Sequence, residues 1–268
     1  MTAPIILAGA GRMGGALLKG WIERGIGPLI VVEPKASRWL RTQAKSGSVT
    51  LHEAPAEVSS RPRACVIALK PQVLAMEAAE FRAIAQSGAL MISIAAGTNI
   101  RSMRTAWGRT ARIVRAMPNT PGAIGRGISA LYAPANIKPA DRKFAQALLA
   151  ALGETLWVNR ESLIDSVTAV SGSGPAYVFL LVEALAEAAR AEGLPPSAAN
   201  RLARATIAGA GALLETDERD SADLRKDVTS PGGTTEAALR VLLASDGLKP
   251  LLARAVRAAR RRAEELAS

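Results

Sequence analysis

Short apolar runs alternate with amphipathic stretches through the first half of the chain. Pro4 to Ala8 reads as a strand, and Met13 to Arg24 as a helix with Leu17, Leu18, Trp21 and Ile22 on its apolar side. The same pattern predicts strands at Leu29 to Val32, Val49 to Leu51, Cys65 to Leu69, Leu90 to Ile94, Ile113 to Met117 and Ile128 to Tyr132. Helices are predicted over Ala36 to Lys45, Pro71 to Ala85 and Pro139 to Leu152, the last ending at Gly153. Strands separated by helices imply parallel pairing with helices on both faces, so residues 1–160 are expected to form a doubly wound α/β domain. From residue 161 to 268 no strand-like alternation follows. Helical stretches are predicted from Ser162 to Arg190, broken at Ser171-Gly172-Ser173-Gly174-Pro175, then over Ser197 to Thr216, Thr234 to Ala244 and Leu248 to Leu266. These helices carry alanine on several faces (Ala184, Ala186, Ala188, Ala203, Ala205), which allows close helix packing and points to a homodimer formed through this second domain.

The first predicted strand runs straight into Gly9-Ala10-Gly11-Arg12-Met13-Gly14, which opens the first helix. In a G-x-G-x-x-G turn the first glycine makes the tight bend, the second lets the backbone approach a pyrophosphate, and the third lets helix pack on strand. The pyrophosphate then rests on the helix N-terminus beside Arg12 and Met13. Such a match means little alone, but a preceding strand, a following helix and a second strand ending at Val32-Glu33 make it a Rossmann dinucleotide site. Glu33 stands where an acid would bond the ribose 2′-hydroxyl of NADH, while Lys35, Ser37 and Arg38 could equally hold the 2′-phosphate of NADPH, so the choice of coenzyme stays open. Lys70-Pro71, Ala96-Gly97 and Asn119 each follow a predicted strand, on the side of an open α/β sheet where ligands bind. The plain alternative for Lys70 is a solvated loop lysine.

A second constellation lies far downstream. In Val228-Thr229-Ser230-Pro231-Gly232-Gly233-Thr234-Thr235 two glycines let backbone N–H groups point inward, and the hydroxyls follow where a helix begins. This makes an anion nest suited to one carboxylate, with an ordinary loop and helix cap as the alternative.

Composition narrows the rest. The chain has 268 residues and a formal charge of +11, but its one dense basic cluster, Arg257, Arg260, Arg261 and Arg262, is short and lacks interleaved aromatics, so it is read as a solvated helix face rather than a nucleic-acid site. One cysteine, Cys65, and one histidine, His52, exclude an internal disulfide and leave no Cys/His set for a zinc site. Cys65 lies in an apolar run and reads as a small buried hydrophobe. No metal is expected. Ile5-Ile6-Leu7-Ala8 reads as a strand rather than a leader, and no segment is expected to be apolar over the length of a bilayer span, so a soluble cytoplasmic protein is expected.

Taken in order, Gly9 to Gly14, Ala68-Leu69-Lys70-Pro71-Gln72, Ser93 to Gly97, Met117-Pro118-Asn119-Thr120-Pro121, Ser171 to Tyr177 and Thr229 to Thr235 resemble the motifs of pyrroline-5-carboxylate reductase, from Gly9 to beyond Leu242. The resemblance implies reduction of a cyclic imine to L-proline with NADPH or NADH. It also implies a Rossmann domain followed by a helical domain that interlocks with a second subunit, in dimers that can assemble further, up to a decamer. Carried onto this chain, it makes Gly9, Gly11, Arg12, Met13, Gly14, Lys70, Pro71, Ala96, Gly97 and Asn119 cofactor contacts. Ser230, Gly232, Gly233, Thr234 and Thr235 would hold the substrate carboxylate, with Glu218 and Asp227 nearby and the Thr235 hydroxyl beside the imine nitrogen as the catalytic group. Leu243 departs from the family pattern, where an acid is commoner. A β-hydroxyacid dehydrogenase shares the two-domain plan, but its helix-borne catalytic lysine has no counterpart between Lys143 and Lys226. A dinucleotide-sensing or nucleic-acid-binding protein on the same scaffold would leave the Thr229 to Thr235 nest without a purpose.

Overall fold

Four-residue apolar runs that are buried from end to end form the middle of the sheet, because helices cover both of its faces. The structure, a computed structural model, describes residues 3–267. The chain begins β1 (Ile5–Ala8), α1 (Arg12–Glu23), β2 (Leu29–Val32), α2 (Arg38–Lys45) and β3 (Thr50–His52). After a crossover come β4 (Ala64–Ile67), α3 (Pro71–Glu77), α4 (Arg82–Gln86), β5 (Leu90–Ser93), α5 (Ile100–Trp107) and β6 (Arg112–Met117). β7 (Gly127–Tyr132), α6 (Pro139–Leu149) and β8 (Gly153–Trp157) complete one sheet in the order β3-β2-β1-β4-β5-β6-β7-β8.

Side chains alternate across that sheet. Ile5, Leu7, Val31, Val66 and Ile92 pack with Leu17, Leu18 and Trp21 of α1 on one face. Ile6, Ala8, Cys65, Ile67 and Met91 pack with Leu74, Ile84, Met103 and Trp107 on the other. Two of the four tryptophans, Trp21 and Trp107, are buried, and each spends its N–H on a carbonyl: Trp21 on Leu148 at 2.9 Å and Trp107 on Ala78 at 2.8 Å. The strand order reverses between β1 and β4, which is where an open α/β sheet leaves a crevice at its carboxyl edge.

The doubly wound reading holds for the first six strands, and it needs correction beyond them. β6 pairs with β7 antiparallel. Residues 118–126, which join them, are too few for a crossover of a dozen or more residues, and they form a 3-10 turn ending at Gly125 with φ 72°. β8, unpredicted, then pairs parallel with β7. Its half-exposed Gly-Glu-Thr-Leu-Trp sequence at the sheet edge lacks the apolar run that marks the central strands.

The second half contains α7 (Leu163–Val167), α8 (Gly174–Ala191), α9 (Pro196–Thr216), α10 (Ser221–Asp227), α11 (Thr234–Leu242) and α12 (Leu248–Ala267). The chain divides into two compact units, one of residues up to Gly172 together with the chain end from Ala259, the other of residues 173–258. Sequence reading set the division at 160/161. Arg115 on β6 holds Glu161 at 3.3 Å and Asp165 at 3.2 Å, fastening the start of the helical half to the sheet. The interruption expected at Ser171 to Pro175 falls where a π-helical turn over Thr168–Gly172 and a bend at Ser173 separate α7 from α8. Residues Leu163–Ala191 taken together are nonetheless long and apolar enough to cross a membrane by length and composition, contrary to the expectation of no such segment. Only 11% of its most apolar window is buried within the chain.

Candidate active site

The first candidate site is built by loops at the carboxyl ends of β1, β4, β5 and β6. Gly9 has φ +88°, and a Cβ there would meet the Ala68 carbonyl oxygen at 2.9 Å, so only glycine lets the loop after β1 lie against the loop after β4. A Cβ on Gly14 would overlap the Gly9 carbonyl oxygen, whereas one on Gly11 would meet nothing within 4 Å. Gly11 is thus the open face of the loop. It is also the N-cap of α1, with no side-chain cap and no acid in the first turn. The first-turn N–H groups therefore await an outside acceptor, and a pyrophosphate fits them. Arg12 is exposed beside this turn and Met13 packs inward against the core.

Lys70 is exposed at the N-cap of α3, followed by Pro71 at the first helical position, and it makes no ion pair among the described residues. Ala96 and Gly97 follow β5. Gly97 has φ +65°, and a Cβ there would meet the Leu266 Cβ at 2.9 Å, so the end of α12 closes over this loop. Asn99 secures that closure by donating to the Ala267 carbonyl at 2.7 Å while capping α5 through Ser102 N–H at 2.8 Å. Asn119 has both ends of its amide engaged: Oδ1 accepts from Ile128 N–H at 2.9 Å and Nδ2 donates to Ser171 Oγ at 3.2 Å. It joins two motifs that lie far apart in sequence, a role no local signal announces.

A separate candidate site, in residues 173–258, is the turn before α11. Gly232 has φ +71°, and Gly233 is the N-cap with no side-chain cap bond. Gly232 N–H donates to Glu236 Oε2 at 2.8 Å, and Gly233 N–H to the Ser230 carbonyl at 3.0 Å. Glu236 was not foreseen; placed three residues into the helix, it bonds back like the acid of a capping box. The donors left for a ligand carboxylate are the N–H groups of Thr234 and Thr235, at the start of α11 where helical geometry supplies no partner. Neither threonine hydroxyl caps the helix. Upstream, Arg219 clamps Asp217 at 2.8 Å and Asp227 at 2.9 Å, fixing the segment that holds exposed Glu218. The guanidinium holds the Asp217 carboxyl below the usual carboxylate range.

The inventory limits the chemistry. Burial pushes the Cys65 thiol far up, so it stays protonated and offers no thiolate. His52 is half-buried and faces Glu57 at 3.3 Å. Among the described residues there is no group of three His, Cys, Asp or Glu side chains that could hold a metal ion.

Comparison with known proteins identifies the family. Residues 161–266 match the family model "Pyrroline-5-carboxylate reductase dimerisation", and residues 4–97 match "NADP oxidoreductase coenzyme F420-dependent". The pyrroline-5-carboxylate reductase of Pseudomonas aeruginosa is 37% identical over 99% of this chain and 97% of its own length. That of Synechocystis is 38% identical over 99% of both. The chain belongs to the pyrroline-5-carboxylate reductase family. Among solved structures, the pyrroline-5-carboxylate reductase of Coxiella burnetii matches with a TM-score of 0.91 at 34% identity, covering all of both chains. The Plasmodium falciparum pyrroline carboxylate reductase, solved with NADP bound, matches with a TM-score of 0.83 at 27% identity over 99% of this chain and 98% of its own. This member of the pyrroline-5-carboxylate reductase family therefore carries an oxidoreductase's dinucleotide loops followed by the family's dimerisation domain.

Proposed function

We propose that this chain reduces L-1-pyrroline-5-carboxylate to L-proline, the last step of proline biosynthesis, with NADPH or NADH as reductant. The reduced nicotinamide supplies a hydride to the imine carbon. The chain's own residues bind, orient and deliver the proton that the imine nitrogen gains. Gly9, Gly11 and Gly14 shape the loop, and the first turn of α1 with Arg12 and Met13 takes the pyrophosphate. Lys70, Pro71, Ala96, Gly97 and Asn119 border the same crevice edge. The turn of Ser230, Gly232, Gly233 and Thr234 holds the substrate carboxylate, with Glu218 on the clamped segment upstream. Thr235 is the catalytic group, its hydroxyl hydrogen-bonding the imine nitrogen directly or through water.

The observation that supports this reading best is the turn before α11, where two adjacent N–H donors and two uncommitted hydroxyls stand without any acid in their way except Glu236, which is already bonded to Gly232. A small carboxylate with a basic nitrogen a few ångströms away suits that set. The lack of a usable histidine or thiolate is no obstacle, since reduction of a protonated imine asks for positioning rather than a strong base.

The partner in this reading is a second copy of the chain, joined through the helical domain, with further assembly of dimers as a multiple of that unit. The apolar side of α8 supports it: Phe179 and Leu180 are each 63% exposed, too much for a surface meant for water. A reducing cytoplasm suits a chain whose one thiol is unpaired.

The test is oxidation of NADPH and of NADH in the presence of pyrroline-5-carboxylate, with L-proline identified as product. Turnover with either coenzyme is expected. Thr235→Val should then lower kcat by about 10²-fold, the lower end of what a positioned proton donor contributes. An unchanged kcat and KM in that variant removes Thr235 from catalysis, and folded protein that binds dinucleotide without reducing the imine overturns the reading.

A further inference from the structure

The coenzyme choice that sequence leaves open turns on one side chain, Glu33. It follows β2, and its carboxylate is fixed from two sides: Ala10 N–H donates to Oε2 at 2.8 Å and Lys35 N–H donates to Oε1 at 3.0 Å. Ala10 lies between Gly9 and Gly11, so the carboxylate is tied to the loop that shapes the dinucleotide site. The surrounding backbone is pinned as well, with Gly9 N–H on the Val32 carbonyl at 2.9 Å and Glu33 N–H on the His52 carbonyl at 3.0 Å. Glu33 is half-buried, and moving it aside for an anion would break both of its hydrogen bonds.

A fixed carboxylate only accepts hydrogen bonds. It keeps lone pairs free beside the two backbone donors, and a ribose 2′-hydroxyl can donate to them. A 2′-phosphate brings like charge to the same place, and juxtaposed like charges across an interface repel. Among the described residues no ion pair fixes a cation on Glu33 to offset this. Ser37 accepts Leu40 N–H at 3.2 Å, capping α2. Arg38 lines a hollow along α2 with Arg41 and Lys45. Lys35 is fully on the surface, tied to Glu33 only through its backbone.

We propose that Glu33 is the specificity-determining residue for the coenzyme, and that it makes this chain take NADH in preference to NADPH. The inference rests on the dinucleotide half of the function proposed above and not on the identity of the imine.

The experiment is titration of the full-length protein with NADH and with NADPH, followed by dihydronicotinamide fluorescence in the absence of any imine. The wild-type protein should bind NADH at least about tenfold more tightly, the ratio that 1.4 kcal/mol produces. Glu33→Gln, which keeps the shape and removes the charge, should abolish most of that ratio by tightening NADPH. Should that variant not fold, Glu33→Ser reads the same change, and the wild-type ratio stands as a test by itself. Equal affinities or tighter NADPH in the wild type overturn the proposal. So does an unchanged ratio in a folded Glu33 variant, or a loss of NADPH affinity in the wild-type background on Lys35→Ala or Arg38→Ala that exceeds the effect of Glu33→Gln. Binding of neither dinucleotide overturns it together with the reductase reading. NADH preference without imine reduction upholds it while the reductase reading fails.

Discussion

Arg115 shows what a single buried charge does in this fold. Its side chain is 2% exposed in the middle of β6, where a polar residue has no solvent to turn to. It is matched by Glu161 and Asp165, and the same Glu161 oxygen accepts Ile100 N–H at 2.7 Å at the start of α5. One guanidinium thereby joins β6, the start of α7 and the start of α5. Arg115→Met would leave two carboxylates facing an apolar cavity, and breaking such a pair by removing one partner costs about 3–5 kcal/mol. Urea unfolding should show that loss; a change under about 1 kcal/mol would mean the ions are already solvated. The pairing is invisible in sequence, because the partners are 46 and 50 positions away and Arg115 reads only as a charge inside an apolar run. The glycines are the opposite case. Gly14 answers to the Gly9 carbonyl five residues before it, so the spacing of the two announces the turn, although Gly9 itself is also required by the distant Ala68 carbonyl.

At the scale of elements, α1 depends on one close approach. A methyl group at position 14 would overlap the Gly9 carbonyl oxygen, so Gly14→Ala must push α1 away from the loop that its N-terminus serves. Overpacking of this kind costs about 1–3 kcal/mol. The variant should melt lower and bind either dinucleotide at least about tenfold more weakly, by fluorescence titration. A Gly11→Ala variant, with nothing within 4 Å of the added carbon, should keep its stability and lose binding alone. That contrast separates the packing glycine from the ligand-facing one. The elements that sequence hides share a feature: their apolar positions are sparse. α5 reads as polar because Arg101, Ser102, Arg104 and Thr105 interrupt its three buried apolar residues, and its signal is instead the Asn99 cap. α10 has no buried residue at all. The direction of β7 follows from the length of the link before it, which was there to be counted.

At the scale of the molecule, the helical unit exposes more apolar surface than water tolerates. Phe179 and Leu180 on α8, and Leu213 at 63% and Leu214 at 55% on α9, are uncovered. Covering one such side chain contributes about 1.5–3 kcal/mol, so a handful supports tight association. Apolar length alone would equally describe a membrane span for residues Leu163–Ala191. Two observations favour a protein partner over lipid: the run lies inside the match to a dimerisation domain, and its partner helix α9 is interspersed with Arg201 and Arg204. Light scattering of protein prepared without detergent should therefore give twice the chain mass or a multiple of it. Phe179→Asp with Leu213→Asp should shift the mass toward the monomer and lower the melting temperature, because the apolar faces left open no longer gain from association. A wild-type monomer, or recovery only in the membrane fraction, would reverse the assignment of this surface. The Rossmann half instead encloses most of its apolar residues in two clusters, one on each side of the sheet, with scattered exceptions such as Met76 and Ile124. The demand for a second chain thus arises where the sequence turns helical and alanine-rich, which is why it could be read from composition while the residues that meet across it could not.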